Sequence, residues 1–572
     1  MKRVGLVTAA LVAAVAVWGW SLPSRRVTLA TPWSDGSVRG LLHVHSQLSD
    51  GRGSADDIAV AAARAGLQFV VLTDHGDGTR RPEAPAYRAG VLVIDGVEVS
   101  TRGGHYVAIA LPQSPYPLAG DAVDVVEDVR RMGGFGIVAH PDSPKAELRW
   151  TEWSAPFDAV ELINPDTSWR IHASQGGLAG KWLLWRSLLA YPARPVEAIA
   201  QLLTDTDTLR DQWSTATAAR KVVALAGADA HAKVSLVDAE PGNNRYSVPI
   251  PSYESSFASL SVHVRLDQPF SGEAPADAER LIQGLRSGAV FVAVDGWASP
   301  AAFEYWATEG ALRAEQGGSL AAKAPVSLHV RNNAPDGYRT IVWKDHKRLE
   351  ERTEREFELP VGSAPAVYSI EVRRDGRGGP PWVISNPVYV GERDAHGVGT
   401  DGTQPTANRT ARLLFDGRST RGWSQEGDSS SAAALGIAKL VAGDAIHLRY
   451  GLAGGAAVGQ FVAAAVDTPE GVDDASGVRF RVHASADMRF ALQVRADGPE
   501  AAPERWERSV FITPNDSEHF VRFADMTPVG AMHSTRAPLS KVRSVLFVVD
   551  TTNTKPGATG QIWLSEVRLV RE

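Results

Sequence analysis

The first half of the chain alternates short apolar runs with helical patterns. The apolar runs between residues 38 and 234 are GLLHVHS, QFVVLTDH, VLVIDGVEVS, GHYVAIAL, GFGIVAHP, DAVELIN and VVALAGADAH. After the first run comes SADDIAVAAARAG, in which Ser54 is a predicted N-cap, Asp57 occupies the third helical position and Gly66 ends the helix. Continuous apolar strands that alternate with helices predict an α/β sheet or barrel with buried strands, ending near residue 310.

The second half consists of short alternating segments separated by turn residues. Residues 320–392 include VSLHVRN, RTIVWKD, AVYSIEVRRD and NPVYV, which predict a small β-sandwich. Residues 393–412 are polar with scattered glycine, proline and threonine, and this composition indicates a linker. Residues 413–572 hold further strand candidates, such as GVRFRVHA and SVLFVVDTT, whose number fits a jelly-roll sandwich.

The N-terminal segment predicts export. Lys2 and Arg3 precede an uncharged stretch over residues 4–23, a pattern typical of an export signal. The apolar part is close to the roughly 20 residues that span a bilayer, and no clear A-x-A cleavage site follows it. Residues 1–26 are therefore a cleaved signal peptide or an uncleaved membrane anchor, with a buried helix of the first domain as the third alternative. Either exported form places the protein in the periplasm or cell envelope.

Composition narrows the class of protein. The 572 residues exceed what one core accommodates, and an apolar content of 44% is that of a globular protein. The net charge of −7 is spread along the chain without a basic stripe, so we expect no nucleic-acid footprint. The absence of cysteine excludes disulfides, thiolate metal sites and cysteine nucleophiles, and fits a bacterial envelope protein.

Histidines and acids gather at the ends of the apolar runs. His43 and His45 stand two residues apart at the end of the first run, so a regular strand would point both to one face. The other candidate ligands also start, end or closely follow such runs: Asp50, His75, Glu98, His105, His140, Asp229 and His231. Imidazoles with a few carboxylates suit zinc, manganese or iron. Nine candidates exceed what one ion needs, so we predict a cluster that shares a bridging carboxylate.

The motifs HVHS-x3-DG, TDH, GVE, GHYVAIAL, AHP and GADAH, in this order, resemble the polymerase-and-histidinol-phosphatase (PHP) family of metallohydrolases. The resemblance covers roughly residues 36–310 and implies a distorted (β/α)7 barrel with a trinuclear metal centre. The implied sites are a first metal at His43, His45, Glu98 and Asp229, a second at Glu98, His105 and His140, and a third at Asp50, His75 and His231. Asp50 stands where some members of the family have histidine.

Two other groups of enzymes share part of this pattern. The arrangement of domains, with SNPVYV at residues 385–390, is similar to the exported CehA/McbA-type branch of the PHP family, which includes a carbaryl hydrolase. The amidohydrolase superfamily also begins with HxH on a barrel strand, but it normally lacks the closing DxH and the GVE strand. The sequence therefore favours the PHP resemblance.

The resemblance implies a metal-dependent hydrolase that uses a metal-activated hydroxide, with two to three divalent ions. A phosphomonoester or phosphodiester is the first expectation for its small-molecule substrate, and a carboxylic ester, carbamate or amide is the alternative. Asp229 or His231 is expected to protonate the leaving group. Arg170 is the preferred cation for binding a phosphate, ahead of three other basic residues of the same loops, Lys145, His172 and Lys181. Asp74 and Asn164 are expected to orient ligands.

The C-terminal region suggests a second activity. Its ending, SVLFVVDTT followed by GQIWLSEVRLV, resembles galactose-binding-like jelly rolls, which include carbohydrate-binding modules. Carbohydrate binding would use exposed aromatic side chains such as Trp423 and Trp506, and a purely structural role for this region stays open. A glycan-binding envelope protein is the non-enzyme alternative, but such a protein has no need of the metal-ligand set.

Overall fold

The computed structural model describes most of the chain, and two of the predicted segments fall largely outside it. The described residues are 18–19, 22–31, 33–235, 245, 247–376, 378–391, 409–441, 443–456, 459–498, 503–530 and 534–571. Most of the predicted signal or anchor and most of the predicted linker lie outside these ranges. Among the described residues, no helix has the length and apolar character needed to cross a membrane.

The chain forms two compact units. The first comprises residues 1–112 and 125–398, and the second comprises residues 113–124 and 399–572. Besides the helical residues 18–19, the α-helices in the described part of the chain are α1 (Ala55–Arg64), α2 (Ala122–Arg131), α3 (Pro165–Ser174), α4 (Gly177–Ala190), α5 (Pro195–Ala200), α6 (Asp207–Ala219), α7 (Tyr253–Phe257) and α8 (Ala274–Ser287).

The strands of the first unit are numbered in chain order. They are β1 (Val27–Thr28), β2 (Ser37–Val44), β3 (Phe69–Leu72), β4 (Ala86–Arg88), β5 (Val91–Thr101), β6 (Gly104–Ile109), β7 (Phe135–Val138), β8 (Ala159–Ile163), β9 (Val223–Ala230), β10 (Val234–Ser235), β11 (Ser247–Val248), β12 (Ser261–Arg265), β13 (Val290–Ala293), β14 (Ala298–Ser299), β15 (Phe303–Glu309), β16 (Leu312–Glu315), β17 (Ser319–Leu320), β18 (Val326–Asn332), β19 (Tyr338–Lys344), β20 (Lys347–Arg352), β21 (Glu356–Gly362), β22 (Ala366–Arg374), β23 (Val383–Ser385) and β24 (Val388–Val390).

A closed barrel of seven strands lies at the centre of the first unit. Its strands follow the order β2, β3, β5, β6, β7, β8 and β9, and β9 pairs back onto β2. The apolar runs supply buried strands as predicted, and every residue of β3, β7 and β8 is buried. The barrel brings the carboxyl ends of several strands to one rim, where functional side chains can meet.

The expectation of a (β/α)7 barrel is wrong. The structure is mostly β, with 41% strand and 18% helix. Within the barrel, helices connect β2 to β3, β6 to β7, and β8 to β9, but the other connections between barrel strands have none. A two-residue turn at Arg102 and Gly103 joins β5 to β6, and both β5–β6 and β6–β7 pair antiparallel. A turn this short cannot hold a crossover helix, which parallel neighbours need.

Helix α1 follows the prediction from its sequence. Ser54 caps the helix by accepting a hydrogen bond from the Asp57 N–H, and the Asp57 carboxylate accepts one from the Ser54 N–H. Gly66 has a φ of 76°, a left-handed conformation that glycine adopts without steric cost. This capping box ends the loop that carries Asp50 and starts the helix that leads to β3.

The sheet of the barrel continues into a small β-rich region. β12 pairs antiparallel with β2, β13 with β12, and β23 with β13, so the sheet extends to β22 and β24. A separate sheet in the order β16, β15, β18, β21 packs with these strands around a core that includes Tyr305, Tyr368 and Trp382. The predicted all-β character of this region is confirmed.

The second unit contains two six-stranded sheets, which confirms a β-sandwich. Its strands are β25 (Arg409–Leu413), β26 (Trp423–Gly427), β27 (Ala432–Leu440), β28 (Gly443–Gly451), β29 (Phe461–Asp467), β30 (Gly477–Ala484), β31 (Met488–Asp497), β32 (Pro503–Ile512), β33 (Ser517–Arg522), β34 (Thr527–Pro528), β35 (Val542–Asp550) and β36 (Thr559–Arg571).

The two tryptophans proposed as carbohydrate contacts belong to the core of this sandwich. Trp423 stacks on Phe547, and its indole N–H donates a hydrogen bond to the Leu414 carbonyl. Trp506 is fully buried and donates to the Ser534 carbonyl. The expectation that these aromatics are exposed is wrong, because alternation along β26 and β32 turns both side chains toward the facing sheet.

Candidate metal centre

Irregular backbone at the strand ends positions three of the predicted ligands. His43, His140 and Asp229 have φ values of 62°, 30° and 45°, in the left-handed region that residues other than glycine seldom adopt. The pairing of β2 with β3 and with β9 shifts register between residues 41 and 44, so His43 lies at a bulge. The prediction assumed regular alternation, whereas a bulge re-aims His43. Strained backbone of this kind clusters at functional sites.

All nine predicted ligands come together at this rim of the barrel. Each belongs to at least one group of side chains whose donor atoms lie within 4.8 Å of one another, a spacing at which the group can hold a metal ion. The groups are His43, His45 and Asp229; His43, Glu98 and His140; His75, Glu98 and His105; and His45, Asp50, His75 and His231. Because the groups share members, they form one continuous cluster.

Glu98 lies at the centre of the cluster, and its two carboxylate oxygens contact different histidines. Its Oε1 is 2.8 Å from His105 Nδ1 and 3.0 Å from His140 Nε2. Its Oε2 is 3.3 Å from His43 Nε2, and 3.2 Å from both His45 Nε2 and His75 Nδ1. The two oxygens of one buried carboxylate thus meet separate sets of imidazoles, which is the arrangement that a bridging ligand requires.

The other two acids occupy opposite sides of His45. Asp229 Oδ1 is 3.4 Å from His45 Nε2 and 3.6 Å from His231 Nδ1. Asp50 Oδ1 is 3.5 Å from His45 Nδ1, and its Oδ2 is 3.0 Å from His231 Nε2. The side chains of Asp50, His75 and His231 are 39%, 36% and 22% exposed, whereas those of His43, His45 and Glu98 are buried. The cluster therefore opens to solvent on the side of Asp50, His75 and His231.

The buried groups strongly perturb each other's ionisation. Burial alone would lower the pKa of His43 and His45, but the surrounding carboxylates raise it, for His45 to about 10. Burial alone would raise the pKa of Glu98 and Asp229, but the positive field of the histidines holds both well below their usual range. The carboxylates are therefore ionised at neutral pH, which is the form in which they can bind a cation.

Unsatisfied polar atoms show that this cluster fits a metal. Three buried atoms lack a hydrogen-bond partner of proper geometry: His43 Nε2, His45 Nε2 and Glu98 Oε2. The Glu98 oxygen is nevertheless only 3.3 Å from the His43 nitrogen and 3.2 Å from the His45 nitrogen. Buried polar atoms in proteins are normally paired. The ligands of a cation converge on a common point without bonding to each other. A set of imidazole nitrogens and carboxylate oxygens suits zinc, manganese or iron.

One further acid, Glu161 on β8, supports the cluster from behind and was missed by the sequence analysis. Its Oε1 is 2.6 Å from His43 Nδ1, and its Oε2 accepts hydrogen bonds from the His140 N–H and the Asn164 side-chain amide. A Cβ on Gly227 would lie 1.9 Å from Glu161 Oε1, so this position admits only glycine. The available signal was an acid inside the otherwise apolar run DAVELIN, since buried acids need partners.

The two residues expected to orient ligands both make indirect contacts. Asn164 caps α3 and donates to Glu161, so it acts on His43 through that carboxylate. Asp74 does not bond its neighbour His75 but accepts hydrogen bonds from the N–H and hydroxyl groups of Ser46 and Ser49. Asp74 thereby fixes the loop between His45 and Asp50.

The four predicted phosphate-binding cations differ in their contacts and exposure. Arg170 forms a two-point ion pair with Asp166 and stacks on Trp169. Burial would lower the pKa of Arg170, but the Asp166 carboxylate, and to a smaller extent the charge of Asp229, raises it. His172 bonds to the Leu202 carbonyl, Lys145 lies 3.9 Å from Glu147, and Lys181 is exposed on α4. Phosphate binding by Arg170 stays a prediction.

Comparison with known sequences gives two partial similarities. No family model matches the chain. An error-prone DNA polymerase from Symbiobacterium thermophilum is 38% identical over 72 residues, which is 12% of this chain and 7% of the polymerase. The uncharacterized protein MJ1587 from Methanocaldococcus jannaschii is 26% identical over 140 residues, 22% of this chain and 80% of that protein. The chain thus spans less than a tenth of the length of the polymerase.

Comparison with solved structures finds carbohydrate-binding modules. A family 11 module of a Clostridium thermocellum cellulase has 12% identity and a TM-score of 0.25, covering 29% of this chain and 96% of the module. A family 30 module from the same organism has 10% identity and a TM-score of 0.21, covering 26% of this chain and 92% of the module. Similarity at this level carries no argument about what this chain binds.

Proposed function

We propose that this protein is a metal-dependent hydrolase of the PHP type that cleaves phosphoester bonds in a small molecule. The observation that carries the proposal is Glu98, whose two oxygens face separate groups of imidazoles within one buried cluster. The unpaired buried atoms of His43, His45 and Glu98 support two to three divalent ions as occupants.

When bound, such ions supply Lewis acidity and lower the pKa of water enough to provide hydroxide near neutral pH. The chain provides the remaining parts of the machinery. Glu161 holds the His43 ring through Nδ1, so its Nε2 points into the cluster. Glu161 also accepts from the backbone N–H of His140, and the same carboxylate therefore fixes two ligands that lie on different strands.

The open side of the cluster is the place where a substrate would enter. His231 is the best placed group for delivering a proton to the leaving group, because its ring is partly exposed whereas Asp229 is buried. Its Nε2 lies 3.0 Å from Asp50 Oδ2 and its Nδ1 3.0 Å from the Asp229 carbonyl oxygen, so both ring nitrogens are held in place. Arg170 supplies positive charge for the phosphoryl oxygens.

Phosphoesters are favoured over carboxylic esters, carbamates and amides on two grounds. The charge of Asp229 contributes to the raised pKa of Arg170, which supports a cation near the cluster that could bind a phosphate. The 72-residue similarity to a DNA polymerase supports phosphoester chemistry as well. Binding of a glycan as the sole function is disfavoured because a metal cluster serves no purpose in it.

The test uses the full chain after chelation and reconstitution with manganese, zinc or iron. Hydrolysis of bis-p-nitrophenyl phosphate, p-nitrophenyl phosphate and p-nitrophenyl acetate is compared for the wild type and for Glu98→Gln. Glu309→Gln is the matched control, because Glu309 is also buried but bonds to the backbone N–H groups of Ala322 and Ala324. We expect turnover of a phosphate substrate that Glu98→Gln removes and Glu309→Gln retains.

Turnover of the carboxylic ester alone would replace the phosphoesterase by a carbaryl-hydrolase-like enzyme. Absence of turnover with all three metals, in a protein that binds them, would contradict a hydrolase of either kind.

A further inference from the structure

Helix α4 (Gly177–Ala190) has the reverse of the usual distribution of side chains. Its buried positions are Gly180, Ser187 and Ala190, three small residues. A Cβ on Gly180 would lie 2.5 Å from the His172 carbonyl oxygen, so the small residue allows close packing against α3. The large apolar side chains of α4 are consequently left for its outer face.

The outer face of α4 is an apolar stripe exposed to solvent. Leu178, Trp182, Trp185 and Leu189 are 88%, 64%, 62% and 52% exposed. Their spacing of four, three and four residues puts them on one side of the helix. Within the part of the chain that the structure describes, nothing covers this stripe, and soluble proteins seldom leave such a surface without a partner.

The charges of α4 indicate what kind of partner it has. The helix contains Lys181 and Arg186 and no acidic residue. Tryptophan and leucine on the exposed face, with Lys181 and Arg186 at its edges, are side chains by which helices contact a membrane interface. The indole of tryptophan favours the level of the lipid headgroups.

The N-terminal segment contacts the end of α4 at the apolar stripe. The Trp18 indole N–H donates a 2.8 Å hydrogen bond to the Leu189 carbonyl, so the described chain starts at the end of the stripe. Pro23 accepts a hydrogen bond from Arg194, and the Arg26 N–H donates one to Glu197, which hold the segment against α5. The uncharged residues 4–17 directly precede this point in the sequence.

We propose that the outer face of α4 lies in the interfacial layer of a lipid bilayer and holds the first unit against the membrane surface. Trp18 lies at the end of the stripe, so a membrane that took up the apolar sequence preceding Trp18 would also meet Leu178, Trp182, Trp185 and Leu189. This docking surface agrees with an exported, envelope-attached protein, and it is independent of the metal centre and its chemistry.

The absence of cysteine allows a direct test with the full chain. Single cysteines are introduced by Leu178→Cys and Trp185→Cys, labelled with an environment-sensitive fluorophore, and the protein is reconstituted in phosphatidylcholine–phosphatidylglycerol vesicles. Leu312→Cys is the matched control, because Leu312 is a 60% exposed leucine of the same unit. A helix in the interface lies about 5–10 Å into the headgroup and acyl boundary, so a shallow lipid-borne quencher should reach the label and reduce its emission.

We expect quenching at positions 178 and 185 and none at position 312. Equal quenching at all three positions, or none at any, would overturn the proposal. Blue-shifted emission at positions 178 and 185 without lipid quenching would also overturn it, since the stripe would then be covered by a second copy or by the chain's own N-terminal segment. Sedimentation of each labelled protein with the vesicles confirms that the measurement is made on membrane-attached molecules.

Discussion

Two buried histidines on neighbouring strands of the barrel sheet have opposite surroundings. His43, near the end of β2, lies among Glu98, Glu161 and Asp229, and these carboxylates raise its pKa well above the ordinary value. His263, on β12, stacks on Phe291, and burial lowers its pKa to about 4 despite the charges of Asp295 and Asp35, which raise it. The surroundings of His43 therefore favour positive charge, whereas the surroundings of His263 keep its ring neutral.

The different surroundings of His43 and His263 show that burial alone does not identify a metal ligand. Both rings are almost inaccessible, and each has an Nε2 without a hydrogen-bond partner. Only His43 has ionised carboxylates in contact and further imidazoles within 5.6 Å, including His45 and His140. Convergence of several donors around buried negative charge is therefore the criterion for the site.

The largest expected effect is the loss of hydrolysis in His140→Ala. Removing the imidazole takes away a donor that faces Glu98 Oε1, so turnover should fall at least about 1,000-fold, beyond the loss typical of residues that only support a ligand. His263→Gln is the matched control, because it changes a buried histidine that touches none of the nine candidate ligands. Full activity in His140→Ala, with circular dichroism showing a folded protein in both variants, would contradict the assignment.

Metal removal should lower stability strongly in the wild type. Ions that bind only the folded state add about 4 kcal/mol to the free energy of unfolding when free metal is 1,000 times the dissociation constant. Denaturant unfolding with and without chelator measures this difference. The same chelator should leave the unfolding of Glu98→Gln almost unchanged, and an equal loss in that variant would show that the stabilising ion binds elsewhere.

Glu161→Gln tests the support behind the cluster. Replacing the carboxylate by an amide weakens the contact with His43 and the hydrogen bond from the His140 N–H, and metal affinity should fall by about 10–100-fold. Competition with a chromophoric chelator measures the affinity. Glu309→Gln should retain wild-type affinity, and a loss of equal size there would mean that the effect comes from burying an amide rather than from the site.

The smallest expected effect is the change in the free energy of unfolding with pH that His263 causes. Its folded-state pKa of about 4 lies below the unfolded value, so as the pH falls the unfolded chain takes up the proton first. The free energy of unfolding should therefore fall by about 2 kcal/mol between pH 7.5 and pH 5 through this residue. The difference between the wild type and His263→Gln isolates it, because the other titrating groups are common to both. An identical pH dependence in the two proteins would contradict a buried neutral His263.

The candidate ligands were predictable from the sequence because they follow apolar runs that become barrel strands. Their convergence depends on only two features, the buried strands and the common rim of their ends. The prediction of a distorted (β/α)7 barrel failed because the turn at Arg102 and Gly103 makes β5 and β6 an antiparallel hairpin. A two-residue connection decides strand direction, and the apolar pattern of the strands does not record it.

Other features depend on contacts that no local pattern contains. Glu161 was missed because its partners, His43 and His140, are distant in the chain and meet it only in the closed barrel. Trp423 and Trp506 were expected at the surface, whereas the facing sheet of the sandwich covers them. Helix α4 has so little amphipathic order that its exposed stripe emerges only when its packing against α3 is known.

The most direct test is the metal content of the purified full chain, measured by elemental analysis before and after chelation and reconstitution. We predict two to three equivalents of zinc, manganese or iron in the wild type, with the content reduced in Glu98→Gln and unchanged in His263→Gln. A wild-type protein that retains no metal after reconstitution with each of the three would contradict the metal centre, and with it the proposed hydrolase.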